Sequence, residues 1–414
     1  MIWRWRWGGD GVVGVIARDD LAATATADPD ADWSLPGWIY HDAEYHDVVM
    51  DRVMRPAWQI VCHACELPSA GSYHTLDFLG EAIVVVRGDD DVIRAFANVC
   101  RHRAMRLVEG PSGCAKKLVC PYHAWTYVLD GRLTGVPMRG DYPALDMAAN
   151  GLHAIDMEIW QGFVFVRLRD DGGPSVAEMM APAMVEVAPY RLADVQPIGR
   201  PWARPRRVNW KNVGDNYSDN LHIPVAHDGL TRLFGKSYAI SNHGWVDRMS
   251  GMLVDRPSTN AWERFYQAHL PRADHLPDSH QRLWLYFKLW PNMAFDLYAD
   301  QIDFMHWMPT SPTTCELRVR SYALPDAYTS EDRRREMKLV RYANDRINRT
   351  VNAEDTWLIE RVQRGMETGR YAAGPIGSSE VCLRSFAGKI RDLIPQARAL
   401  RALPAGWSRL GTST

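Results

Sequence analysis

Four residues with metal-binding side chains form two spaced pairs in the first third of the chain. Cys100 and His102 are one residue apart, Cys120 and His123 are two apart, and 17 residues separate the pairs. Thiolate and imidazole are the usual side-chain ligands of soft and borderline metals. Structural zinc sites usually place two cysteines in one pair and two histidines in the other. Mixed pairs instead favour a [2Fe–2S] centre, in which two thiolates hold one iron and two imidazoles hold the other.

A second set of possible ligands lies in the stretch DNYSDNLHIPVAH. Two imidazoles and one carboxylate that leave positions open are the ligands of non-haem Fe(II) oxygenases. His222 and His227 are five residues apart, about 140° out of phase on an ideal helix. Pro224 lies between them and is expected to distort or end that helix, which would bring both rings to one metal. Asp219, three residues before His222, is expected on the same face, where it can hydrogen-bond the second imidazole nitrogen.

Both clusters resemble those of Rieske non-haem iron oxygenase α subunits, the aromatic-ring-hydroxylating dioxygenases. The first is similar to the Rieske pattern C-x-H…C-x2-H, and Arg101, Arg103 and the stretch YHAWTY match its surroundings. The segment NWKNVGDNYSDNLHIPVAH resembles the catalytic signature N-W-K-x3-[ED]-N-x2-[DE]-x-Y-H-x4-H. Asp215 stands where Glu is common. Leu221 stands where Tyr is usual, so the phenolic hydrogen bond is lost and the pocket is less polar.

The resemblance implies two iron cofactors and an electron path between them. Cys100, His102, Cys120 and His123 would hold the [2Fe–2S] cluster. His222, His227 and Asp355 would hold a mononuclear Fe(II), because NAEDTWLIERVQRG resembles the family's E-D…VQRG segment. Glu354 and Asp345 are the alternative carboxylates. Asp219 would link the iron-bound histidine to a Rieske histidine of a neighbouring subunit, which predicts a homotrimer.

The activity that the resemblance implies is oxygenation with O2 as co-substrate. Electrons would come from a partner, a flavin/iron–sulfur reductase or a ferredoxin, because no glycine-bearing loop of the sequence opens a βαβ unit of the kind that binds NAD(P)H. The C-terminal segment is similar to the branch that acts on choline, glycine betaine, carnitine and related N-methyl compounds. This predicts monooxygenation and oxidative demethylation of an N-methyl or O-methyl group.

Three alternatives follow from the same residues. The first is cis-dihydroxylation or hydroxylation of an aromatic ring. The second is a pure electron-transfer Rieske protein, which would need no second iron site and would end near residue 170. The third is a non-catalytic, zinc-containing ligand-binding module. Its colourless zinc would distinguish it from a red-brown Rieske protein.

The run of elements predicts two domains of different class. Short β-branched and aromatic runs separated by Gly and Asp predict an all-β Rieske domain over 57–170. Helical stretches over 176–190 and 215–232 enclose long alternating strands, which predicts an α+β catalytic domain with a broad antiparallel sheet over 171–414. By resemblance this domain has a helix-grip (START-like) fold. A final helical region begins at TSED, with Thr329 or Ser330 as its N-cap, and continues with interruptions.

The N-terminal part precedes these domains. Residues 1–35 are expected to form a flexible leader rather than a secretion signal, because Arg18, Asp19 and Asp20 cut off its short apolar piece. Residues 36–56 are expected to form a short amphipathic helix that packs on the catalytic domain.

The pocket for the small-molecule substrate is predicted from aromatic strand residues and the second cluster. Aromatic side chains can cage a quaternary ammonium group or stack on an aromatic ring. Alternation along a strand lets only about half of them face one side, so most are expected in the core. The candidate pocket residues are Asn216, Leu221, Trp284, Phe295 and Phe304.

Composition restricts compartment and partners. The 48 Lys and Arg against 50 Asp and Glu leave no basic footprint for nucleic acid or membrane. The seven cysteines are an odd number spread along the chain, which favours a reducing cytoplasm over a disulfide framework. Cys62 and Cys65 have C-x-x-C spacing, but no second pair lies nearby. They are expected to face opposite sides of one strand as buried small residues.

Overall fold

The computed structural model describes residues 32–324 and 330–409. Most of the predicted leader, residues 1–31, lies outside these ranges. Its last four residues, 32–35, pack on the C-terminal part of the chain. The Ser34 N–H donates to the Gly374 carbonyl oxygen at 2.8 Å, and Leu35 is buried.

The segment that follows is helical and lies on the catalytic part of the chain. It consists of a 3-10 turn, helix α1 and a π-helical stretch: Gly37–Tyr40, α1 Ala43–Val49 and Met50–Met54. The Asp42 side chain caps α1 by accepting from the Tyr45 N–H at 2.7 Å. The indole N–H of Trp38 donates to the Ala399 carbonyl at 2.5 Å, which ties this segment to the C-terminal end.

The next part is all β, as predicted. Its strands are β1 Gln59–His63, β2 Ser72–Phe78, β3 Glu81–Arg87, β4 Ile93–Ala97, β5 Ser112–Cys114, β6 Leu118–Val119, β7 Thr126–Tyr127, β8 Leu133–Gly135, β9 Asp156–Trp160 and β10 Phe163–Arg167. They form three antiparallel sheets, ordered β4-β3-β2-β5, β6-β7-β8 and β1-β10-β9. The first two sheets enclose the apolar cluster that contains Cys100 and Cys120.

Two local expectations fail around this part. Cys62 is buried in β1, but Cys65 lies in the 3-10 turn Ala64–Glu66 that follows, so the two are not on one strand. The helix predicted over 176–190 is broken into α2 Val176–Met180 and α3 Met184–Val187, each followed by a 3-10 turn. Pro182 and Pro189 lie at the starts of those turns, and proline cannot supply the N–H that a continuous helix needs.

The catalytic part is a seven-stranded antiparallel sheet covered by helices. Its elements up to the sheet centre are β11 Gln196–Arg206, α4 Trp210–Tyr217, α5 Ile223–Ala226, α6 Asp228–Phe234, β12 Ala239–His243, β13 Val246–Met252 and α7 Ala261–His269. They continue with β14 Leu283–Leu289, β15 Met293–Leu297, β16 Gln301–Ser311, β17 Thr314–Ala323, α8 Glu331–Met366 and α9 Val381–Leu393. The strands from β12 to β17 form a meander, and β11 closes the far edge beside β17.

Helix α8 is one unbroken element of 36 residues, so the predicted interruptions are wrong. Its N-cap is Ser330, one of the two predicted residues, whose hydroxyl accepts from the Arg333 N–H at 3.3 Å. Met337, Val340 and Ile347 recur at helical spacing on its buried face.

The α+β fold class predicted from the sequence is confirmed, with an all-β part followed by helices on a broad antiparallel sheet. In the part of the chain that the structure describes, no helix combines the length and the apolar character needed to cross a membrane.

Candidate active site

The two Cys/His loops have the same backbone conformation. The N–H of Ala104 donates to the Cys100 carbonyl at 3.0 Å, and that of Ala124 donates to the Cys120 carbonyl at 2.9 Å. Both alanines adopt left-handed φ values, 58° and 55°. A non-glycine residue with positive φ costs free energy, so both turns are held by their surroundings. Each loop therefore presents one cysteine and one histidine in a matching arrangement.

The side chains of these loops fit a [2Fe–2S] cluster. Cys100 and Cys120 are buried, and the rings of His102 and His123 lie 4.6 Å apart between centroids. The Nδ1 atoms of both histidines are buried and have no hydrogen-bond partner among the described residues. Buried polar atoms normally have a partner, so two orphaned nitrogens side by side are what two imidazole ligands of one iron require.

The spread of the four donors does not suit one zinc ion. Zinc bonds of about 2.0–2.3 Å keep any two ligands within about 4.6 Å of each other. In the ranges 32–324 and 330–409, one set of three donors meets within 4.8 Å, and it consists of His222, His227 and Asp355. The donors of the Cys/His loops do not meet within this distance in groups of three, which a single zinc ion would require.

Aromatic groups surround the Cys/His loops. The Tyr127 hydroxyl lies 3.5 Å from Cys100 Sγ and accepts from the Arg101 N–H at 2.9 Å. The Trp125 ring stacks on His102 with centroids 4.8 Å apart and planes 7° apart. Burial raises the pKa of the Cys100 thiol, so cluster binding must release its proton.

The second predicted set of ligands also comes together. His227 Nε2 lies 2.9 Å from Asp355 Oδ1, and His222 Nε2 lies 3.7 Å from the same oxygen. The imidazole of His227 is buried, whereas His222 and Asp355 keep part of their surface accessible. Three converging donors, two of which keep accessible surface, fit a two-histidine, one-carboxylate iron site with open positions.

The backbone reaches this arrangement by a route other than the predicted one. Helix α4 ends at Tyr217, and residues 218–222 form an irregular turn that contains Asp219. Pro224 then lies in the first turn of the short helix α5, where its missing N–H has no intrahelical partner to lose. The helix is therefore interrupted before His222, between α4 and α5, and Pro224 lies at the start of a helix and not at the end of one.

Each imidazole is oriented through its second nitrogen. Asp219 Oδ2 lies 2.8 Å from His222 Nδ1, and Glu354 Oε2 lies 2.7 Å from His227 Nδ1. The Asn216 amide donates to Asp355 Oδ1 at 2.8 Å. Carboxylate–histidine pairs of this kind fix the tautomer and orientation of metal-bound imidazoles. Asn216, predicted in the pocket, thus contacts the carboxylate that is predicted as the third ligand.

The two alternative carboxylates have other partners. Glu354 contacts the outer nitrogen of His227, away from the other two donors, and Asp345 pairs with Arg349 at 2.9 Å on the helix surface. Burial disfavours the charged form of His227, but Asp355 and Glu354 outweigh it and raise the pKa of that imidazole. A metal ion that binds this histidine therefore competes with a proton that is held more strongly than on a free imidazole.

The predicted pocket residues do not all lie on the metal side of the sheet. Phe295 and Phe304 pair across β15 and β16 and pack with Phe163 on the opposite face, so their prediction as pocket residues disagrees with the packing. Trp284 faces the helices but is enclosed by Phe234, Tyr266 and Tyr298. Leu221 is exposed on the turn before His222.

A tyrosine cluster around a buried carboxylate lies on the metal side and was missed by sequence reasoning as a unit. The hydroxyls of Tyr217 and Tyr298 donate to the two oxygens of Asp296, and Tyr286 lies 6.4 Å from Tyr217 and 6.2 Å from Tyr298 between ring centroids. Tyr238 completes the group, 6.4 Å from Tyr286. Burial raises the pKa of Asp296 to about 6.

Two links connect this tyrosine cluster to the proposed metal ligands. Tyr217 follows Asn216, whose amide holds Asp355, and the Asn348 side chain donates to the Tyr298 hydroxyl at 3.0 Å. Asn348 and Asp355 are two turns apart on α8, about 10 Å along the axis. The signal that could have found the cluster is a carboxylate in the apolar strand MAFDL, because a buried charge is rarely placed without a purpose.

Two family descriptions match the chain over the parts described above. Residues 57–146 match the Rieske [2Fe-2S] domain, and residues 193–396 match the ring hydroxylating alpha subunit (catalytic domain). The chain therefore belongs to the Rieske oxygenase α subunits, an oxidoreductase family whose cofactors are a [2Fe–2S] cluster and a mononuclear iron and whose co-substrate is O2.

Similar curated proteins are named for quaternary ammonium substrates. The glycine betaine monooxygenase oxygenase subunit of Chromohalobacter salexigens is 37% identical over 220 residues, which cover 51% of this chain and 48% of that protein. The carnitine monooxygenase oxygenase subunit of Acinetobacter pittii is 28% identical over 363 residues, which cover 86% of this chain and 91% of that protein.

Solved structures show the same fold. A crystal structure of the quaternary ammonium Rieske monooxygenase CntA in complex with L-carnitine has a TM-score of 0.71 at 23% identity and covers 89% of this chain and 97% of that one. Naphthalene 1,2-dioxygenase with bound phenanthrene has a TM-score of 0.70 at 20% identity, covering 91% and 96%. The fold is thus common to monooxygenases of quaternary ammonium compounds and to ring dioxygenases.

Proposed function

We propose that this oxygenase hydroxylates an N-methyl group of a quaternary ammonium compound and thereby demethylates it. The observation that carries the proposal is the group of four tyrosines around Asp296, next to His222, His227 and Asp355. Tyrosine faces and a carboxylate attract an organic cation. The names of the relatives, for glycine betaine and carnitine, support the same substrate class.

In this proposal, a mononuclear iron held by His222, His227 and Asp355 would activate O2, and a cluster held by the two Cys/His loops would supply electrons. Asp219 and Glu354 hold the two imidazoles in the tautomer that leaves Nε2 free. Asn216 holds the carboxylate of Asp355. The tyrosine cluster orients the ammonium group and excludes water around it.

The overall chemistry balances as follows. One methyl C–H becomes C–OH with one oxygen atom of O2, while two electrons and two protons reduce the other atom to water. The resulting N-hydroxymethyl ammonium compound breaks its C–N bond and gives a tertiary amine, formaldehyde and one proton.

We further propose that the active form is a homotrimer served by a separate flavin/iron–sulfur reductase or ferredoxin. Asp219 lies on the accessible turn beside His222, where a Rieske histidine of a second copy could reach it. Light scattering should give the mass of three chains. A fully active monomer would contradict this assembly. We also propose that the protein is cytoplasmic and that its domain limits lie at residues 56 and 170.

Single-turnover chemistry tests the function without the natural reductase. The holoenzyme is reduced chemically, mixed with O2 and an N-methyl compound such as glycine betaine, carnitine or choline, and formaldehyde is measured. We expect up to one formaldehyde per mononuclear iron. Oxidation of naphthalene or indole without formaldehyde from any N-methyl compound would support ring oxygenation instead.

A further inference from the structure

A polar row crosses the centre of the catalytic sheet on its helix-covered face. The register places Met249 opposite Tyr286, Tyr286 opposite Asp296, Asp296 opposite Asp303, and Asp303 opposite Ser321. Two carboxylates are therefore direct neighbours across β15 and β16. The tyrosine cluster lies over the first of them.

Space remains over this row. Tyr286, Asp296 and Asp303 keep 9%, 7% and 8% of their surface accessible, although they lie in the middle of a seven-stranded sheet. Their neighbours on the opposite face, such as Leu285 and Phe295, keep 0% and 1%. Since buried core positions are normally packed without voids, the accessible surface marks an internal space on the metal side.

One polar group facing this space has no partner in the chain. The Tyr286 side chain is more than nine-tenths buried, and its hydroxyl makes no hydrogen bond to any residue in 32–324 or 330–409. The hydroxyl oxygen itself keeps accessible surface, so it can bond a ligand or water in the space.

Neither carboxylate of the row is neutralised by a cation of the chain. Over the described ranges, no Lys or Arg nitrogen lies within ion-pair distance of Asp296 or Asp303. Lys288, in the adjacent row, is paired with Asp247 at 2.8 Å. The row therefore offers acidic side chains and tyrosine faces, and among the described residues it holds no cationic group that would form an ion pair with a substrate carboxylate.

We infer that the substrate is an organic cation that carries no carboxylate, and that Asp296 and Asp303 determine this preference. The inference rests on the proposed function and narrows its substrate class. A zwitterion would bring its carboxylate near two acidic side chains, and like charges in a low-dielectric site repel strongly. A cation meets the Asp296 carboxylate, the Asp303 side chain beside it and four phenol rings, and its positive charge favours the ionised form of Asp303.

Three compounds of similar size test the inference on the wild-type holoenzyme. Choline is the cation, glycine betaine the zwitterion and 3,3-dimethylbutan-1-ol the neutral isostere of choline. Anaerobic calorimetric titration should give choline an affinity at least tenfold higher than that of either other compound. Glycine betaine binding as tightly as choline, or more tightly, would overturn the inference.

Three matched variants locate the effect. At pH 9, where both row carboxylates are ionised, Asp296→Asn and Asp303→Asn should each lower choline affinity at least fivefold and leave the neutral alcohol unchanged. Asp300→Asn is the control, because that buried carboxylate lies at the β15–β16 turn, outside the row, and accepts from Tyr266 at 2.6 Å. The inference would be overturned if both row variants fold and their ratio of choline affinity to glycine betaine affinity equals that of the wild type. If a variant does not fold, the comparison of the three compounds on the wild type decides.

The outcome separates this inference from the proposed function. Formaldehyde from glycine betaine in preference to choline would sustain the function and refute the cation preference. If neither compound gives formaldehyde and an aromatic substrate is oxidised instead, the proposed function is refuted. The ratio of choline affinity to glycine betaine affinity would still test the cation preference.

Discussion

At the residue scale, Glu354 is the positioning group whose effect is easiest to isolate. It contacts His227 Nδ1 at 2.7 Å without approaching the other donors. Glu354→Ala should lower the affinity for mononuclear iron about 10- to 100-fold, because the imidazole loses its fixed tautomer. Glu354→Gln keeps an oxygen that can accept the N–H, so it should lose far less. Iron titration of the apo-protein measures both.

The control for this prediction is Asp345→Asn, which removes a carboxylate from the same helix without touching an imidazole. Its iron affinity should equal that of the wild type. Equal losses in Glu354→Ala and Asp345→Asn would indicate general damage to helix α8 and contradict the positioning role.

Tyr127 should tune the cluster. Its hydroxyl lies 3.5 Å from Cys100 Sγ, and hydrogen bonds to cluster sulfur stabilise the reduced, more negative state. Tyr127→Phe should therefore lower the midpoint potential and leave the iron content unchanged. A spectroscopic redox titration measures it, with Tyr73→Phe as control, because that hydroxyl bonds a backbone carbonyl in the same domain. An unchanged potential in Tyr127→Phe would contradict the assignment.

Residue types and spacing identified the proposed ligands but not their surroundings. Glu354 and Asp355 are adjacent acidic residues, and only the direction of their side chains on the helix distinguishes the ligand from the orienting group. Phe295 and Phe304 were equally plausible as pocket residues, because the sequence does not say which face of the strand meets the helices. Side-chain direction is a tertiary property, which explains both limits.

At the element scale, helix α8 shows why its continuity was not predictable. Asn344, Asn348 and Asn352 are poor helix formers, which could interrupt a helix. They recur every four residues on one face, where their side chains bond Tyr266, Tyr298 and Arg206. These tertiary hydrogen bonds compensate for the low helix propensity, so the helix continues through all three.

Gln363 holds α8 against α4 and the N-terminal segment. Its side chain accepts from the Asn209 N–H at 2.9 Å and from the Asn212 amide at 3.0 Å, and donates to the Tyr40 carbonyl at 3.1 Å. Gln363→Leu leaves three buried polar groups unpaired, at about 1–3 kcal/mol each. We expect a loss of at least about 3 kcal/mol in the free energy of unfolding, measured by denaturant titration.

The neighbouring exposed position supplies the comparison for Gln363. Val362→Thr should change the free energy of unfolding by less than about 0.5 kcal/mol, because its side chain is largely exposed. A similar small change in Gln363→Leu would show that the network contributes little.

The pairing of β15 and β16 predicts a pH dependence of stability. Burial raises the pKa of Asp303 to about 8, well above that of an unfolded aspartate. Its protonated form therefore contributes stability that is complete below about pH 4 and is lost as the pH rises towards 8. Asp303→Asn lacks this dependence, so its melting temperature should gain on the wild type between pH 5 and pH 8.5. A constant difference over that range would contradict the assignment.

At the scale of the whole molecule, the order of the all-β and α+β parts was predictable from the sequence. The contacts between these two parts were not. The change from short strands to long strands and helices indicated an all-β part followed by an α+β part. The residues that join them, such as Phe163 of β10 packed on Phe295 of β15, lie far apart in sequence. A single sequence gives no signal for such contacts, because any apolar strand residue could make them.

The most direct test of the account is iron content with EPR spectroscopy on anaerobically purified protein, wild type beside Asp355→Ala and the control Asp345→Ala. We predict about three irons per chain and a Rieske signal in the wild type and the control. Asp355→Ala should keep the Rieske signal and about two irons, having lost the mononuclear one. A colourless, zinc-containing wild type, or an Asp355→Ala variant that keeps all three irons, would contradict the central claim.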